Sequence, residues 1–249
     1  MTASFRARLK NGEKLLGSMI SLSSPPVAEI LVDAGYEWLF VDTEHGPITH
    51  SEIVALVNAA KPCPCVVRVP DHSEAAIKGV LDLGVAGIIV PLVNSADEAA
   101  RIISFAKYPP EGRRSVGIAR AQGYGFHFAD YVKRANEETA VILQIEHING
   151  VRDIDRILAL PGIDAIFLGP YDLSASLGKI GQIHAPEVVE ATNKVKAAVT
   201  AKGLPLGLFG VTADALTGAF DNGYSLLAVG TDTIFLGSAA REAYKKLRT

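Results

Sequence analysis

Residues 82–99 read DLGVAGIIVPLVNSADEA, and this stretch decides the fold. Gly84 suits the left-handed turn that ends a helix. The run Gly87–Val90 is apolar throughout, as a strand covered on both faces must be. Ser95-x-x-Glu98 then resembles a capping box opening the next helix. Helix end, buried strand and helix start follow one another without a spacer.

The same unit recurs along the chain. Short apolar runs predict strands at Leu15–Ile20, Trp38–Asp42, Cys65–Val69, Gly87–Val90, Val141–Ile145, Ala165–Leu168, Pro205–Phe209 and Leu226–Val229. DAGYEWLF (33–40) and PGIDAIFL (161–168) repeat the glycine stop, Thr49-x-x-Glu52 and Asp71-x-x-Glu74 repeat the cap, and Pro25-Pro26 opens a further helix. Eight alternations of strand and helix predict an α/β protein with a parallel sheet. The common closed form is a (β/α)8 TIM barrel, here a single domain over residues 1–249, a length usual for that fold. An open doubly wound sheet shares the alternation. One stretch breaks the rhythm: YPPEGRRSVGIARAQGYGFHF (108–128), between strands four and five, is long and irregular, which predicts a functional or assembly element.

A net charge of −3 argues against general affinity for nucleic acid or an acidic membrane. No apolar run approaches the ~18–20 residues of a membrane span. The polar N-terminus lacks the apolar core of a signal peptide, so a cytoplasmic protein is expected. Cys63 and Cys65 are too close for a disulfide framework and too few for a zinc site, and read as structural thiols.

In such a barrel the loops after the strands build the active site, and polar residues gather there. Strand two ends in Asp42-Thr43-Glu44-His45-Gly46, strand three in Arg68, strand five in Gln144-Ile145-Glu146-His147, strand six in Gly169-Pro170-Tyr171-Asp172, and strand eight in Gly230-Thr231-Asp232. Neighbouring strands lie about 4.8 Å apart, so Glu146 and Asp172 can share one hard divalent cation such as Mg2+ or Mn2+. The plainer reading is that these acids cap helices or pair with arginine. Gln144, two residues before Glu146, points to the same face. His45 has the proton affinity of a general base, or is structural. Arg68 would meet a substrate carboxylate or a developing enolate, or bridge to Asp42 and Glu44 behind it. No strand end carries the lysine that a Schiff-base aldolase needs.

At these residues the sequence resembles the HpcH/HpaI aldolase family. AGYEWLFVDTEHGP, VVRVP, GIIVPLVNSADEA, YPPEGRRSVGIARAQGYG, LQIE, IFLGPYDLSASLG and AVGTDTIFLGSAAR follow the family's segments in order over nearly the whole chain. The resemblance implies a metal-dependent class II aldolase that cleaves 4-hydroxy-2-oxo acids to pyruvate and an aldehyde, and runs the reverse addition. It implies His45 as base, Arg68 as enolate stabiliser, Glu146 and Asp172 as ligands of Mg2+, Mn2+ or Co2+, and Gln144, Gly169, Pro170 and Tyr171 around the pyruvyl group. It assigns Asp82 to tuning the histidine. Because Asp82 closes the helix before strand four, it should face the bottom of its own barrel and serve a neighbouring subunit, in keeping with the family's hexamers of swapped dimers. Tyr171, His147 and Met19 depart from the pattern at the pocket wall, which bears on the aldehyde. The competing readings are an acyl-CoA lyase of the citrate lyase β-subunit or malyl-CoA lyase type, and a non-catalytic barrel that binds a keto acid.

Overall fold

The computed structural model describes residues 3–248. Eight parallel strands pair in chain order: β1 (Leu15–Ile20), β2 (Trp38–Asp42), β3 (Cys65–Arg68), β4 (Gly87–Val90), β5 (Ala140–Ile145), β6 (Ala165–Leu168), β7 (Leu206–Gly210) and β8 (Leu226–Thr231). β8 returns to β1, from Leu15 against Leu226 to Met19 against Thr231, with a shift of register between Gly17 and Met19. That pairing closes the barrel and rules out the open sheet. The helices are α1 (Phe5–Lys10), α2 (Pro25–Asp33), α3 (His50–Ala59), α4 (Glu74–Leu81), α5 (Ala96–Ala106), α6 (Phe128–Glu138), α7 (Ile148–Arg152), α8 (Ile154–Leu158), α9 (Pro170–Ser176), α10 (Pro186–Lys202) and α11 (Asp232–Arg248). None is long and apolar enough to cross a membrane.

Four strands keep the limits their apolar runs predict. β3 stops at Arg68, β5 starts at Ala140, β7 is displaced by one residue to Leu206–Gly210, and β8 runs on to Thr231, because ladder bonds and not apolar character set the ends. Asp71 does not cap α4. Its carboxylate accepts from the Ser73 N–H (2.7 Å), and Ser73 is the cap, its Oγ accepting from Ala76 (3.1 Å). An acid that builds the turn before a helix has the same sequence signature as one that caps it. At α3 the Glu52 carboxylate accepts from the Thr49 N–H at 2.7 Å.

Alternation along the strands sends every second side chain inward. Leu15, Trp38, Val66, Ile89, Ile142, Ala165 and Leu226 fill the barrel, while a larger apolar layer joins its outside to the helices. α1 plugs the N-terminal mouth: Phe5 lies 5.9 Å from Trp38, ring to ring. Trp38 can cross there because β1 offers Gly17, where a Cβ would come within 2.5 Å of the indole. The indole Nε1 then donates to the Leu227 carbonyl at 3.1 Å. Around this mouth Asp164 accepts from Arg6 (2.6 Å) and from the Val141 N–H (2.9 Å). Lys107 lies 3.9 Å from Asp164 and donates to the Asn136 and Thr139 carbonyls, both at 2.9 Å. Burial pulls the Lys107 ammonium down to about 8. It pushes the thiols of Cys63 and Cys65 up to about 11 and about 12.

Two features leave the compact barrel. The 108–128 excursion exposes Ile118, Tyr124 and Phe126, and beyond Gly237 every described residue of α11 is exposed.

Candidate active site

A cavity of about 560 Å3 opens at the C-terminal mouth. Phe40 on β2 and Phe167 on β6 meet edge to face at 5.6 Å and make its floor. Each stands two residues before a polar strand end, so the alternation that fills the core also delivers Asp42 and Gly169 to the cavity.

Arg68 is held from behind. Its Nε and Nη2 donate to the two oxygens of Asp42 at 2.9 and 2.8 Å, Glu44 Oε2 lies 3.1 Å from Nε, and the guanidinium sits 5.3 Å from the Phe40 ring centre. Burial works against its charge, but the bond and charge of Asp42, with Glu44 and Glu146, leave its pKa raised. Asp42 also accepts from the Glu44 N–H at 3.1 Å, fixing the loop that carries His45. The His45 side chain is 72% exposed and turned to the cavity, its Nε2 3.7 Å from Glu44 Oε2. Burial raises the Glu44 carboxyl, against the pull of Arg68.

Opposite, Glu146 is buried on β5's continuation. Its Oε1 accepts from the Leu92 N–H at 2.8 Å and its Oε2 from the Gln144 amide. Leu92 adopts φ +52° to present that N–H, a left-handed conformation costly for a branched residue. Gly169 packs on the same carboxylate; a Cβ there would lie 2.6 Å from Glu146 Oε2. Burial pushes the Glu146 carboxyl up, and the charge of Asp172 pushes it further. Asp172, in the first turn of α9, lines the same cavity although the residue as a whole is exposed.

The residues present fit a divalent cation. Glu146 is desolvated beside a second carboxylate, and Gln144 Oε1 is buried without a partner. These are hard oxygen donors with positions left for water and substrate. Among the described residues no three His, Cys, Asp or Glu side chains group as ligands; of the acids that line the cavity, Asp42 is paired with Arg68 while Glu146 and Asp172 are not.

The cavity thus brings together His45, Arg68, Asp42, Gln144, Glu146, Gly169, Pro170, Tyr171 and Asp172, with Glu44 directly behind. Asp82 is not among them. It follows α4 at the opposite mouth and accepts from Arg114 at 2.6 Å. Asp232 is occupied as a clamp, accepting from Ser21 Oγ (2.7 Å) and the Leu22 N–H (2.8 Å). His147 caps α7 and does not line the cavity. Sequence reasoning missed the Leu92 N–H, for which nothing in the sequence is a signal. It also missed the apolar outer wall from Val211, Ala215 and Ile234. Phe40 and Phe167 were findable by counting back two from the strand ends.

Residues 16–239 match the family model described as HpcH/HpaI aldolase/citrate lyase. A 4-hydroxy-2-oxovalerate aldolase of Novosphingobium aromaticivorans is 39% identical over 98% of this chain and 94% of its own length. A hydroxypyruvate/pyruvate aldolase of Paraburkholderia phytofirmans is 36% identical over 100% of this chain and 98% of its own. The crystal structure of an HpcH/HpaI aldolase/citrate lyase family protein from Burkholderia cenocepacia superposes with a TM-score of 0.95 at 36% identity, covering 100% of both chains.

Proposed function

The chain belongs to the HpcH/HpaI aldolase/citrate lyase family, and from that premise we propose how its residues serve a class II pyruvate aldolase. It is a carbon–carbon lyase that cleaves 4-hydroxy-2-oxo acids to pyruvate and an aldehyde and catalyses the reverse addition. A divalent cation (Mg2+, Mn2+ or Co2+) held by Glu146 and Asp172 would supply electrostatic stabilisation of the charge that develops on the keto oxygen.

The chain's own groups do the rest. His45, open to the cavity, takes the proton from the C4 hydroxyl, directly or through a water. As the new carbonyl forms, the C3–C4 bond breaks and its electron pair becomes the pyruvate enolate. Arg68 faces that charge, and Asp42 and Glu44 keep the guanidinium in place so that no reorganisation is needed when the charge appears. Gln144, Gly169, Pro170 and Tyr171 shape the recess for the pyruvyl group. The aldehyde departs, C3 takes a proton, and pyruvate is released.

The observation that carries this reading is the buried Glu146 beside Asp172 and the unpartnered Gln144 oxygen, in one cavity with His45 and Arg68. Pyruvate release from a panel of 4-hydroxy-2-oxo acids tests it. Turnover should require Mg2+, Mn2+ or Co2+ and disappear on chelation; turnover that survives chelation contradicts it, and binding without turnover favours the non-catalytic barrel.

We further propose a homo-oligomer, a hexamer, in which Asp82 acts beside a neighbouring subunit's histidine. Asp82 lies at the wrong mouth for its own site, and Ile118, Phe126 and Leu247 are 77%, 87% and 88% exposed. Light scattering at micromolar concentration decides the assembly. Loss of activity in Asp82→Ala, restored on mixing with a His45→Ala protein, decides the shared site.

A further inference from the structure

The excursion 108–128 breaks the regular alternation and lines no part of the cavity. Its contacts converge instead on the turn that follows α4. The Ala121 N–H donates to the Asp82 carbonyl at 3.0 Å. Arg120 donates to the Leu83 carbonyl and, at 2.7 Å, to Asn58 Oδ1. Gly84 lets the two segments touch, since a Cβ there would lie 3.2 Å from Ala121 Cα. Arg114 reaches the same turn with its side chain, Nη2 donating to Asp82 Oδ1 at 2.6 Å.

The fold gains little from that ion pair. Arg114 is buried, with its guanidinium 4.5 Å from the Tyr108 ring centre and Nη1 3.5 Å from the Tyr131 hydroxyl, and its Nε has no partner. A buried cation short of an acceptor is unfavourable, and an uncharged pair of like volume would serve packing as well. Asp82 is an acid at the negative end of the α4 dipole, where acids are disfavoured. What the pair achieves is orientation. At the cavity Arg68 grips Asp42 by both oxygens, the two-pronged form of this contact. Arg114 grips Asp82 by Oδ1 alone; no hydrogen bond among the described residues reaches Oδ2, and the side chain is 24% exposed.

Resting on the aldolase reading and on the shared site, we infer that Arg114 is the positioning residue for Asp82. It fixes one carboxylate oxygen while the excursion fixes the turn, so the other oxygen is presented to the neighbouring subunit's histidine without reorganisation. The excursion thereby serves a cavity it does not line.

The test is a double-mutant cycle on pyruvate release at saturating Mn2+, using the 4-hydroxy-2-oxo acid of the panel that turns over fastest. Arg114→Met should lower kcat by about 10- to 100-fold and leave KM within about twofold, because Arg114 does not meet the substrate. In an Asp82→Ala background the same substitution should change kcat by less than about twofold. Further loss in that background overturns the inference, as does an unchanged kcat in Arg114→Met alone. Subunit mixing gives a readout that a purely structural role would not move. Arg114→Met should regain activity with His45→Ala and not with Asp82→Ala, since its defect lies in what a subunit offers its neighbour. No recovery with His45→Ala would place the defect in the variant's own barrel and overturn the inference. Arg114→Lys, which keeps the charge and a donor, should recover part of the lost kcat, and it replaces Arg114→Met in every arm if that chain does not assemble. A fully active Asp82→Ala overturns the shared site and this inference with it; a native protein that turns over no member of the panel overturns the aldolase reading too.

Discussion

The two mouths of the barrel hold similar charged residues and treat them in opposite ways. At the N-terminal mouth Asp164 meets Arg6 and Lys107, Lys107 donates to two carbonyls, and α1 covers the ring with Phe5 and Leu9. At the C-terminal mouth Glu146 is nearly as buried, yet its neighbour Gln144 has an unpartnered oxygen, Asp172 adds like charge, and Leu92 is held in a left-handed conformation. One mouth uses its charges to close the fold. The other leaves the Gln144 acceptor unsatisfied and the Leu92 backbone strained, which the surrounding structure tolerates where a ligand is to be bound.

Substitutions separate the two. His45→Ala at the open mouth should lower kcat by about 10^3-fold while the urea midpoint stays put, since the side chain is largely solvent-exposed. A matching loss of stability would mean that the histidine is structural. Asp164→Ala at the closed mouth should do the reverse. It strands the buried Arg6 and Lys107 charges, costing about 3 kcal/mol in denaturant melts, with kcat per folded molecule unchanged.

A smaller effect comes from pH. Lys107 is held near 8 in the fold against 10.5 in its ordinary state, so between those values the folded protein binds fewer protons than the unfolded chain. Stability from this group therefore rises with pH above about 8, by up to about 1.4 kcal/mol per unit, and is lost as pH falls through 8. The buried thiols, raised to about 11 and 12, act in the opposite sense above about 9. Urea midpoints at pH 7.5 and 9 should show the rise in the native protein and not in Lys107→Met. The smallest effect is Leu92→Gly, which removes left-handed strain but frees the unfolded chain. Stability should change by less than about 1 kcal/mol, and the N–H to Glu146 should remain.

Much of the closed fold was legible because β/α alternation is written in apolar runs and glycine stops. Gln144 and Glu146 were legible as a pair because strand periodicity is two. Placement of Asp82 away from its own cavity followed from its position at a helix end. What stayed hidden depends on contacts rather than patterns. The α1 plug is six ordinary residues, the Leu92 N–H is a backbone group, and Val211, Ala215 and Ile234 reach the cavity from a loop, a short 3-10 turn and the first turn of α11, which share no period. Asp71 and Ser73 show the same limit locally, since both residue types cap helices.

The contrast between the mouths stands or falls on whether Glu146 and Asp172 hold one cation. Calorimetric titration of the chelated protein with Mn2+ measures this directly, beside Glu146→Gln and Asp172→Asn. One Mn2+ per chain, with affinity at least about 100-fold weaker in each variant while Asp164→Asn binds normally, is the expected result. Equal Mn2+ affinity in the native protein and the two mouth variants would contradict it.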